Sequence, residues 1–343
     1  MRSWIHTRLG QVLGLLLVGL LMVPLLAACG SDDGDAGSDE PREVTVGLGF
    51  VPNIQFAPFY VADAKGYYDE AGLDVTFNHH AAGSDLFGPL VAGDEDVLMA
   101  GGDEVAQGRS NNLPLVYVAE VFRKYPVGLI VPEDSDIQSV ADLAGRKVGI
   151  PGPFGATYIG LLALLESAGL TENDVTVESV GFTQPAALIS GQVDAIMGYV
   201  NNEPIQLDEL GMATRVFPVS EVTPLVANGI VALEETLDGD AEMVEAFVAA
   251  TLRGVEYTND NPDEAVEIAK DFVPSLTEQA QLDNAARVLA ASIPLWEADR
   301  PMGAVADGAW QMTIDFLRER SLLPGDSAVE ADSIYTDEYL PGE

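Results

Sequence analysis

GLGFVPNIQFAPFYVADAKGY, residues 47–67, is the stretch that decides the fold. It begins as a β-strand, breaks at Pro52 and Asn53, and restarts as a helix whose apolar residues recur at helical spacing. In open α/β sheets, the loops that leave the carboxyl ends of parallel strands line the ligand crevice, together with the free N–H groups of the following helix. We therefore expect a binding site at the end of this first strand.

The break in this stretch carries amide and aromatic side chains. A strand end needs turn residues, but two primary amides, Asn53 and Gln55, exceed what a turn requires. Phe56 adjoins them, whereas Phe59 and Tyr60 recur at the spacing of the buried face of a helix. Asn53, Gln55 and Phe56 are therefore candidate ligand contacts, and Phe59 is assigned to the core.

Strands and helices alternate along the rest of the chain, which is the pattern of a parallel sheet covered by helices. The first series comprises predicted strands at 44–48, 73–78, 97–100 and 115–121, with helices at 56–71, 85–92 and 104–110. The second series comprises strands at 147–150, 175–180 and 195–197, with helices at 155–167, 184–190 and 203–210. Four helical segments follow, at 241–259, 262–271, 277–291 and 303–320.

An internal repeat links the two series. LVAGDEDVLM at 90–99 aligns without a gap with LISGQVDAIM at 188–197, so each series contains the same unit of helix, glycine and strand. Apolar segments at 127–131 and 228–232 are placed alike, and we interpret both as crossings between two lobes. The sequence thus predicts an α/β protein with two parallel-sheet lobes, joined by two crossings, and a ligand cleft between them.

Equivalent strands of the repeat are followed by carboxylates at helix starts. Asp103 and Glu104 follow the strand that contains Met99, and Glu203 follows the strand that contains Met197. Helix capping and the macrodipole favour acids at such positions, so a structural role explains them as well as a ligand role does. The polar residues beside Glu203 exceed what a cap requires and indicate a polar ligand: Tyr199, Asn201 and Asn202.

The loop PGPFGATY at 151–158 holds the corresponding position in the second series. Its glycines allow the backbone to approach a ligand closely, and Phe154, Thr157 and Tyr158 are the candidate contacts. The loop has neither the spacing nor the lysine of a P-loop, so nucleotide hydrolysis is not indicated.

The sequence predicts no metal site, no cofactor and no catalytic residue. His79 and His80 have no acid or cysteine partner at metal-ligand spacing, so we expect them in a surface turn. No nucleophile elbow, zinc-binding helix or carboxylate pair stands out.

The overall charge excludes one class of partner. The formal net charge is -39, and the 16 basic residues form no stripe. Nucleic acid is not an expected partner, because neutralising phosphates requires grouped Lys and Arg. At 343 residues, the chain is long enough for two domains with full cores, and we expect a monomer.

The amino terminus has the pattern of a bacterial lipoprotein leader. Two arginines, an apolar run at 11–26 and small residues precede Cys29, the only cysteine. We expect a signal peptide at 1–28, acylation of Cys29, for example by palmitate, and attachment to the outer face of the cell membrane. Residues 29–42 are then a flexible acidic tether. The predicted lobe I comprises 43–127 plus 232–343, and the predicted lobe II comprises 128–231.

The chain resembles the NMT1/THI5-like group of ABC-transporter substrate-binding proteins over almost its whole length after the leader. Four motifs carry the resemblance: VPNIQFAPFYVADAKGYYDEAGLDV at 51–75, SVADLAGRKVGIPG at 139–152, LISGQVDAIMGYVNNEP at 188–204 and WQMTIDFL at 310–317. The resemblance implies a type II-like periplasmic-binding-protein fold. Such a protein closes on a small ligand and hands it to a membrane permease.

The resemblance also implies a ligand class. Members of the group bind pyrimidine precursors of thiamine, and close relatives bind riboflavin. Flat heterocycles of this kind would stack on Phe or Tyr, while amides and carboxylates would read the ring edge or the ribityl hydroxyls. The positions that match the family's cleft loops are Asn53, Gln55, Phe56, Phe154, Thr157, Tyr158, Tyr199, Asn201, Asn202 and Glu203.

The abundance of amides and acids favours riboflavin, with a thiamine pyrimidine precursor as the alternative. Nitrate- and sulfonate-binding relatives fit less well, because their anionic ligands would face Asp103, Glu104 and Glu203. The pyrimidine synthases of the group carry a cysteine-rich motif that this sequence lacks, which argues against an enzyme.

Overall fold

The computed structural model describes residues 40–324 and 329–342. Within them, ten strands form two five-stranded sheets. The predicted signal peptide, Cys29 and the first part of the predicted tether lie outside the described residues. In chain order the strands are β1 Arg42–Leu48, β2 Leu73–His79, β3 Val97–Gly101, β4 Leu115–Glu120, β5 Val127–Pro132, β6 Lys147–Ile150, β7 Thr176–Ser179, β8 Ala195–Tyr199, β9 Thr214–Pro218 and β10 Asn228–Leu233.

Helices cover both sheets, and the described residues also contain four short 3₁₀ turns. The α-helices are α1 Ala57–Ala64, α2 Tyr67–Glu70, α3 Gly88–Ala92, α4 Gly102–Ser110, α5 Gly155–Ser167, α6 Gln184–Ile189, α7 Glu203–Glu209, α8 Glu234–Gly239, α9 Ala241–Asp260, α10 Pro262–Ala269, α11 Gln279–Trp296, α12 Ala309–Glu319 and α13 Ala331–Ile334. The 3₁₀ turns are Ile54–Phe56, Val140–Leu143, Glu172–Asp174 and Val219–Glu221. None of the helices in the described ranges is long and apolar enough to cross a membrane.

The two sheets have the same topology. The first has the order β2-β1-β3-β10-β4, and the second has the order β7-β6-β8-β5-β9. The first sheet and the helices packed on it form lobe I, and the second sheet with α5, α6 and α7 forms lobe II. The central strand β3 is buried along its whole length, as expected for a strand covered on both faces.

The sheets are mostly parallel, as predicted, and each contains one antiparallel strand. β10 runs antiparallel to β3 and β4, and β5 runs antiparallel to β8 and β9. Each of them is the first strand after the chain has changed lobes. The chain leaves one lobe at the carboxyl ends of its parallel strands and enters the other lobe at the equivalent edge, so the entering strand must run in the opposite direction.

The segments predicted as crossings are therefore strands within sheets. β10 bonds to the first sheet, with Gly229 opposite Ala100, so residues 228–231 belong to the sheet of lobe I rather than to lobe II. The links between lobes precede the two strands, at 121–126 and 219–227.

The helix predicted at 56–71 is interrupted. α1 ends at Ala64, Gly66 has a φ of 72°, and a short helix α2 begins at Tyr67. A left-handed residue cannot continue a right-handed helix, and glycine adopts that conformation without steric cost. Phe59 and Tyr60 are buried in α1, as predicted.

The carboxyl-terminal helices complete the core of lobe I. Tyr68 stacks on Phe247 of α9 with ring centroids 5.3 Å apart. On the other side of the sheet, Trp310 of α12 meets Tyr117 of β4 edge to face at 5.2 Å. A long chain segment that follows the second crossing thus covers the sheet formed by the first part of the chain.

Helices α1 and α9 approach closely at Gly254, and this contact generates a stability prediction. A Cβ atom at Gly254 would lie 2.2 Å from the Pro58 carbonyl oxygen and 2.9 Å from Ala62 Cβ. Gly254→Ala should therefore force the two helices apart and lower the free energy of unfolding by roughly 1–3 kcal/mol. Urea unfolding measures the change.

Gly239→Ala is the matched control, because a Cβ atom there meets nothing within 4 Å. Its free energy of unfolding should stay at or above the wild-type value. Equal stability of Gly254→Ala and Gly239→Ala would show that the contact between α1 and α9 tolerates an extra methyl group.

Candidate functional site

A cavity of about 360 Å³ lies between the two lobes at the carboxyl ends of β1, β3, β6 and β8. We call it the cleft cavity. It combines aromatic, amide and carboxyl side chains with exposed backbone. Its lining residues include Phe50, Gln55, Phe56, His80, Ser84, Glu104, Phe122, Phe154, Thr157, Phe182, Gln184, Tyr199, Asn202, Glu203 and Asn228.

The 3₁₀ turn after β1 forms the lobe I wall of the cleft cavity. Only some of the residues predicted there line this cavity. Gln55 and Phe56 line the cleft cavity. Asn53 does not, because its Oδ1 accepts a hydrogen bond from the Gln55 N–H at 3.0 Å and caps the 3₁₀ turn. Asn53 instead lines a neighbouring cavity on the other side of this turn. The structure therefore places Asn53 outside the cleft cavity, and a ligand contact at Asn53 stays a prediction.

The start of α4 places one of its two acids in the cleft. Glu104 lines the cavity, and its Oε2 accepts a hydrogen bond from the Gly101 N–H at 3.0 Å. Its Oε1 points across the cleft toward Gly155 of lobe II, where an added Cβ would lie 3.9 Å from it. Glu104 thus caps its helix with one oxygen and faces the opposite lobe with the other.

Asp103, predicted as a second cleft carboxylate, is enclosed in the protein. It is fully buried, it does not line the cleft cavity, and neither carboxyl oxygen has a hydrogen-bond partner among the described residues. The nearby Tyr125 hydroxyl donates to the Ala156 carbonyl oxygen at 3.2 Å. Adjacent residues in the first turn of a helix point about 100° apart, and here Glu104 points to the cleft while Asp103 points into the protein.

The start of α7 in lobe II places a carboxyl group in the cleft, as the start of α4 does in lobe I. Glu203 lines the cleft cavity, and its Oε2 accepts a hydrogen bond from the Tyr199 N–H at 2.8 Å. Asn202 and Tyr199 also line it. Asn201 is turned away and fully buried, and its Nδ2 donates to Ser292 Oγ at 2.7 Å. Asn201 therefore connects lobe II to α11 of lobe I, which corrects its predicted place in the cleft.

The loop before α5 brings backbone and an exposed aromatic ring to the cavity. Phe154 is 53% exposed and lines the cavity with Gly155 and Thr157. Tyr158 lies on another side of the helix, where its hydroxyl donates to Glu172 Oε1 at 3.1 Å, so its prediction as a cleft residue is wrong.

Several lining residues were missed from the sequence. Phe50 of lobe I and Phe182 of lobe II face each other across the cleft, with ring centroids 6.2 Å apart. Phe50 follows β1 and Phe182 follows β7. Their positions shortly after strands are the only feature of the sequence that indicates a place in the site. The repeat does not single them out. Gln184 and Asn228 were missed as well.

His80 also lines the cavity and was expected in a surface turn. It is buried, and its Nε2 lies 2.6 Å from Glu95 Oε1, which also accepts a hydrogen bond from Asn78 Nδ2 at 2.7 Å. His79 bonds the Phe50 carbonyl oxygen at 3.0 Å. Both histidines are thus part of the lobe I framework. Across the described ranges, no group of three or more His, Cys, Asp or Glu side chains could hold a metal ion.

The cleft cavity is lined by acidic side chains. None of the described residues that line it is Lys or Arg. Burial raises the pKa of Glu203 to about 7. Burial also raises the pKa of Glu104, and burial together with the charge of Glu104 raises the pKa of Asp103. Near neutral pH, Glu203 can therefore accept a hydrogen bond as a carboxylate or donate one as a carboxylic acid.

The raised pKa of Glu203 predicts a pH dependence of stability. Below pH 4.5 the side chain is protonated in both the folded and the unfolded protein. As the pH rises toward 7, folding increasingly disfavours the charge, so Glu203→Gln should gain stability relative to wild type. The gain should level off above pH 7, on the order of 3 kcal/mol. Urea unfolding at pH 4.5, 6 and 7.5 measures it.

Glu256→Gln on the exposed face of α9 is the control, and its stability relative to wild type should not follow this pattern. The side-chain amide oxygen introduced by Glu203→Gln can still accept from the Tyr199 N–H, so the helix start is preserved. A relative stability of Glu203→Gln that stays constant with pH would contradict burial as the cause of the raised pKa.

Comparison with known proteins gives similar solved structures and similar sequences. The periplasmic aliphatic sulphonate binding protein SsuA from Escherichia coli shares the fold, with a TM-score of 0.70 at 19% identity over 89% of this chain and 95% of that one. Riboflavin-binding protein RibY from Chloroflexus aurantiacus is 34% identical over 96% of this chain and 98% of its own length.

A second relative that is named as a binding protein matches over a shorter part of the chain. The formylaminopyrimidine-binding protein of Halalkalibacterium halodurans is 33% identical over 73% of this chain and 76% of its own length. Pyrimidine phosphate synthases are also among the relatives, at 24% to 26% identity. The family model described as NMT1/THI5 like matches residues 53–265. The chain, with its two-lobed periplasmic-binding-protein fold, therefore belongs to the NMT1/THI5-like family.

Proposed function

We propose that this protein is the substrate-binding component of an ABC importer and that it captures riboflavin in the cleft cavity. The observation that carries the proposal is the lining of this cavity. It combines many aromatic rings with one carboxyl group from each lobe, Glu104 and Glu203, and lacks Lys and Arg among its described residues. Such a lining suits an uncharged, flat molecule that offers N–H donors.

The aromatic rings supply the flat contact surface. Phe56 lies on the lobe I wall, and Phe154 and Phe182 project from lobe II with about half of their surface exposed. Each aromatic pair adds roughly 0.5–1.5 kcal/mol beyond the burial of apolar area. A tricyclic flavin ring has enough surface to contact rings from both lobes, which would favour closure.

The two carboxyl groups supply the polar recognition. In each of them, one oxygen accepts a hydrogen bond from the N–H of the last residue of the preceding strand, Gly101 of β3 or Tyr199 of β8. The remaining oxygen of each carboxyl group accepts no hydrogen bond from any described residue and is available for a ligand N–H, such as that of the flavin imide. Protonated Glu203 could instead donate to one of the flanking carbonyl oxygens of the imide.

The acidity of the cavity opposes anionic ligands. A sulfonate or a phosphate would face Glu104 and Glu203 without a nearby Lys or Arg to offset the repulsion. The likeness to the sulphonate-binding protein therefore concerns the fold alone, and we propose no sulfonate ligand for this chain. The same reasoning predicts that riboflavin binds and that its 5′-phosphate binds less well.

A thiamine pyrimidine precursor is the second candidate. An aminopyrimidine presents paired N–H donors that one carboxylate can accept, and Glu203 offers such a group. The relative from Halalkalibacterium halodurans supports this alternative. We favour riboflavin because the relative named for it is similar over almost the entire length of both chains.

We further propose that the protein acts outside the cytoplasm as a monomer, delivers its ligand to a membrane permease and does not convert it. The sequence pattern around Cys29 supports a lipid anchor to the cell membrane. The sole cysteine excludes the cysteine-rich motif of the pyrimidine synthases in this group.

A ligand panel tests the proposed function. Riboflavin should raise the Tm of the purified protein, and its fluorescence should be quenched on binding because the flavin stacks on aromatic rings. Riboflavin 5′-phosphate and ethanesulfonate should produce much smaller Tm shifts at equal concentration. Formylaminopyrimidine is the comparison that separates the two candidates. Stabilisation by ethanesulfonate but not by either heterocycle would refute the proposal.

Glu203→Ala tests the polar contact. Loss of a hydrogen bond to a charged group costs about 1.5–3 kcal/mol, so the Kd for riboflavin should rise by roughly tenfold or more. Isothermal titration calorimetry at pH 7.5 measures it, with Glu256→Ala as the control. Unchanged affinity together with lower stability would assign Glu203 to helix capping alone.

A further inference from the structure

A second cavity, of about 410 Å³, lies on the other side of the 3₁₀ turn from the cleft cavity. We call it the side cavity. It lies between this turn, helix α7 of lobe II, and residues 273–288 of lobe I. The lining residues are Pro52, Asn53, Ile54, Asn202, Gln206, Glu209, Val273, Ser275, Leu276, Ala280, Gln281, Asn284, Ala285 and Val288.

The two cavities are neighbours that share a wall. Asn53 and Ile54 line the side cavity, while the next two residues along the turn, Gln55 and Phe56, line the cleft cavity. Asn202 lines both. A ligand group bonded to the Asn202 amide therefore lies at the border between the cavities.

Side-chain amides dominate the polar lining of the side cavity. Two of the five amides are committed to the protein, because Asn53 Oδ1 caps the 3₁₀ turn and Gln281 Oε1 accepts from Thr277 and Glu278 at the start of α11. The side chains of Asn202, Gln206 and Asn284 make no hydrogen bond to any residue in the described ranges. No Lys or Arg is among the described lining residues.

Uncommitted amides match the chemistry of hydroxyl groups. An amide offers both a donor and an acceptor, and so does each hydroxyl of a polyol. Asn202 and Gln206 come from lobe II and Asn284 comes from lobe I, so a polyol held among them would connect the lobes. Apolar side chains such as Ile54 and Val288 would contact the carbon chain.

We propose that the side cavity takes the hydroxylated chain of the ligand while the flat ring occupies the cleft cavity. The chain would pass the shared residue Asn202 and bond to Gln206 and Asn284. This assignment rests on the proposed function, because riboflavin joins a flat ring to a ribityl chain. It adds a specificity site for the chain, separate from the residues that contact the ring.

Lumiflavin separates the two sites, because it has the same ring with a methyl group in place of the ribityl chain. Wild-type protein should bind riboflavin more tightly than lumiflavin. Gln206→Ala and Asn284→Ala should each raise the Kd for riboflavin by roughly three- to tenfold, since each removes one hydrogen bond. Both variants should leave the Kd for lumiflavin unchanged. Calorimetric titrations with both flavins measure this.

Gln192→Ala, an exposed glutamine outside both cavities, is the matched control and should change neither Kd. A variant that weakens the binding of riboflavin and of lumiflavin equally would show that the substitution disturbs the lobes and not a contact to the ribityl chain. That result would overturn the assignment. Equal affinity of wild type for the two flavins would overturn it as well, while leaving the proposed function intact. Absence of binding by either flavin would refute the proposed function itself and the side-cavity assignment with it.

Discussion

Two carboxyl groups at helix starts, one in each lobe, form the constraint on which the cleft depends. Glu104 and Glu203 each line the cavity, and each accepts on one oxygen a hydrogen bond from the last residue of the strand that precedes its helix. The described lining offers no cation to compensate them. Since an uncompensated buried charge is costly, the site favours protonation, a donor ligand, or both.

The fold makes this constraint symmetrical. Each lobe repeats the same sheet order, with the entering strand, β5 or β10, antiparallel to its neighbours. The repeat places Glu104 after β3 and Glu203 after β8, so the acids approach the cavity from opposite sides. A ligand that bonds to both of them stabilises the arrangement in which the lobes are close, and the free energy of those contacts is available for closure.

The architecture and the site loops could be predicted from the sequence for two reasons. The internal repeat marks equivalent positions in the two lobes, and the loops at the carboxyl ends of parallel strands line the ligand site in this class of fold. Side-chain direction could not be predicted in the same way. Asp103 and Asn201 are each next to a cleft residue, yet the helix start turns both into the protein interior. Phe182 lies in a loop without periodicity, so only the fold reveals that it faces Phe50. The place of β10 in the first sheet depends on pairing between residues more than 100 positions apart, which local patterns do not encode.

The most direct test of the central claim is a crystal structure of the protein with riboflavin. We expect the flavin ring between aromatic side chains of the two lobes, with an imide atom within hydrogen-bond distance of a carboxyl oxygen of Glu203 or Glu104. A flavin bound outside the cleft cavity, or a ring edge that contacts neither carboxyl group, would contradict it.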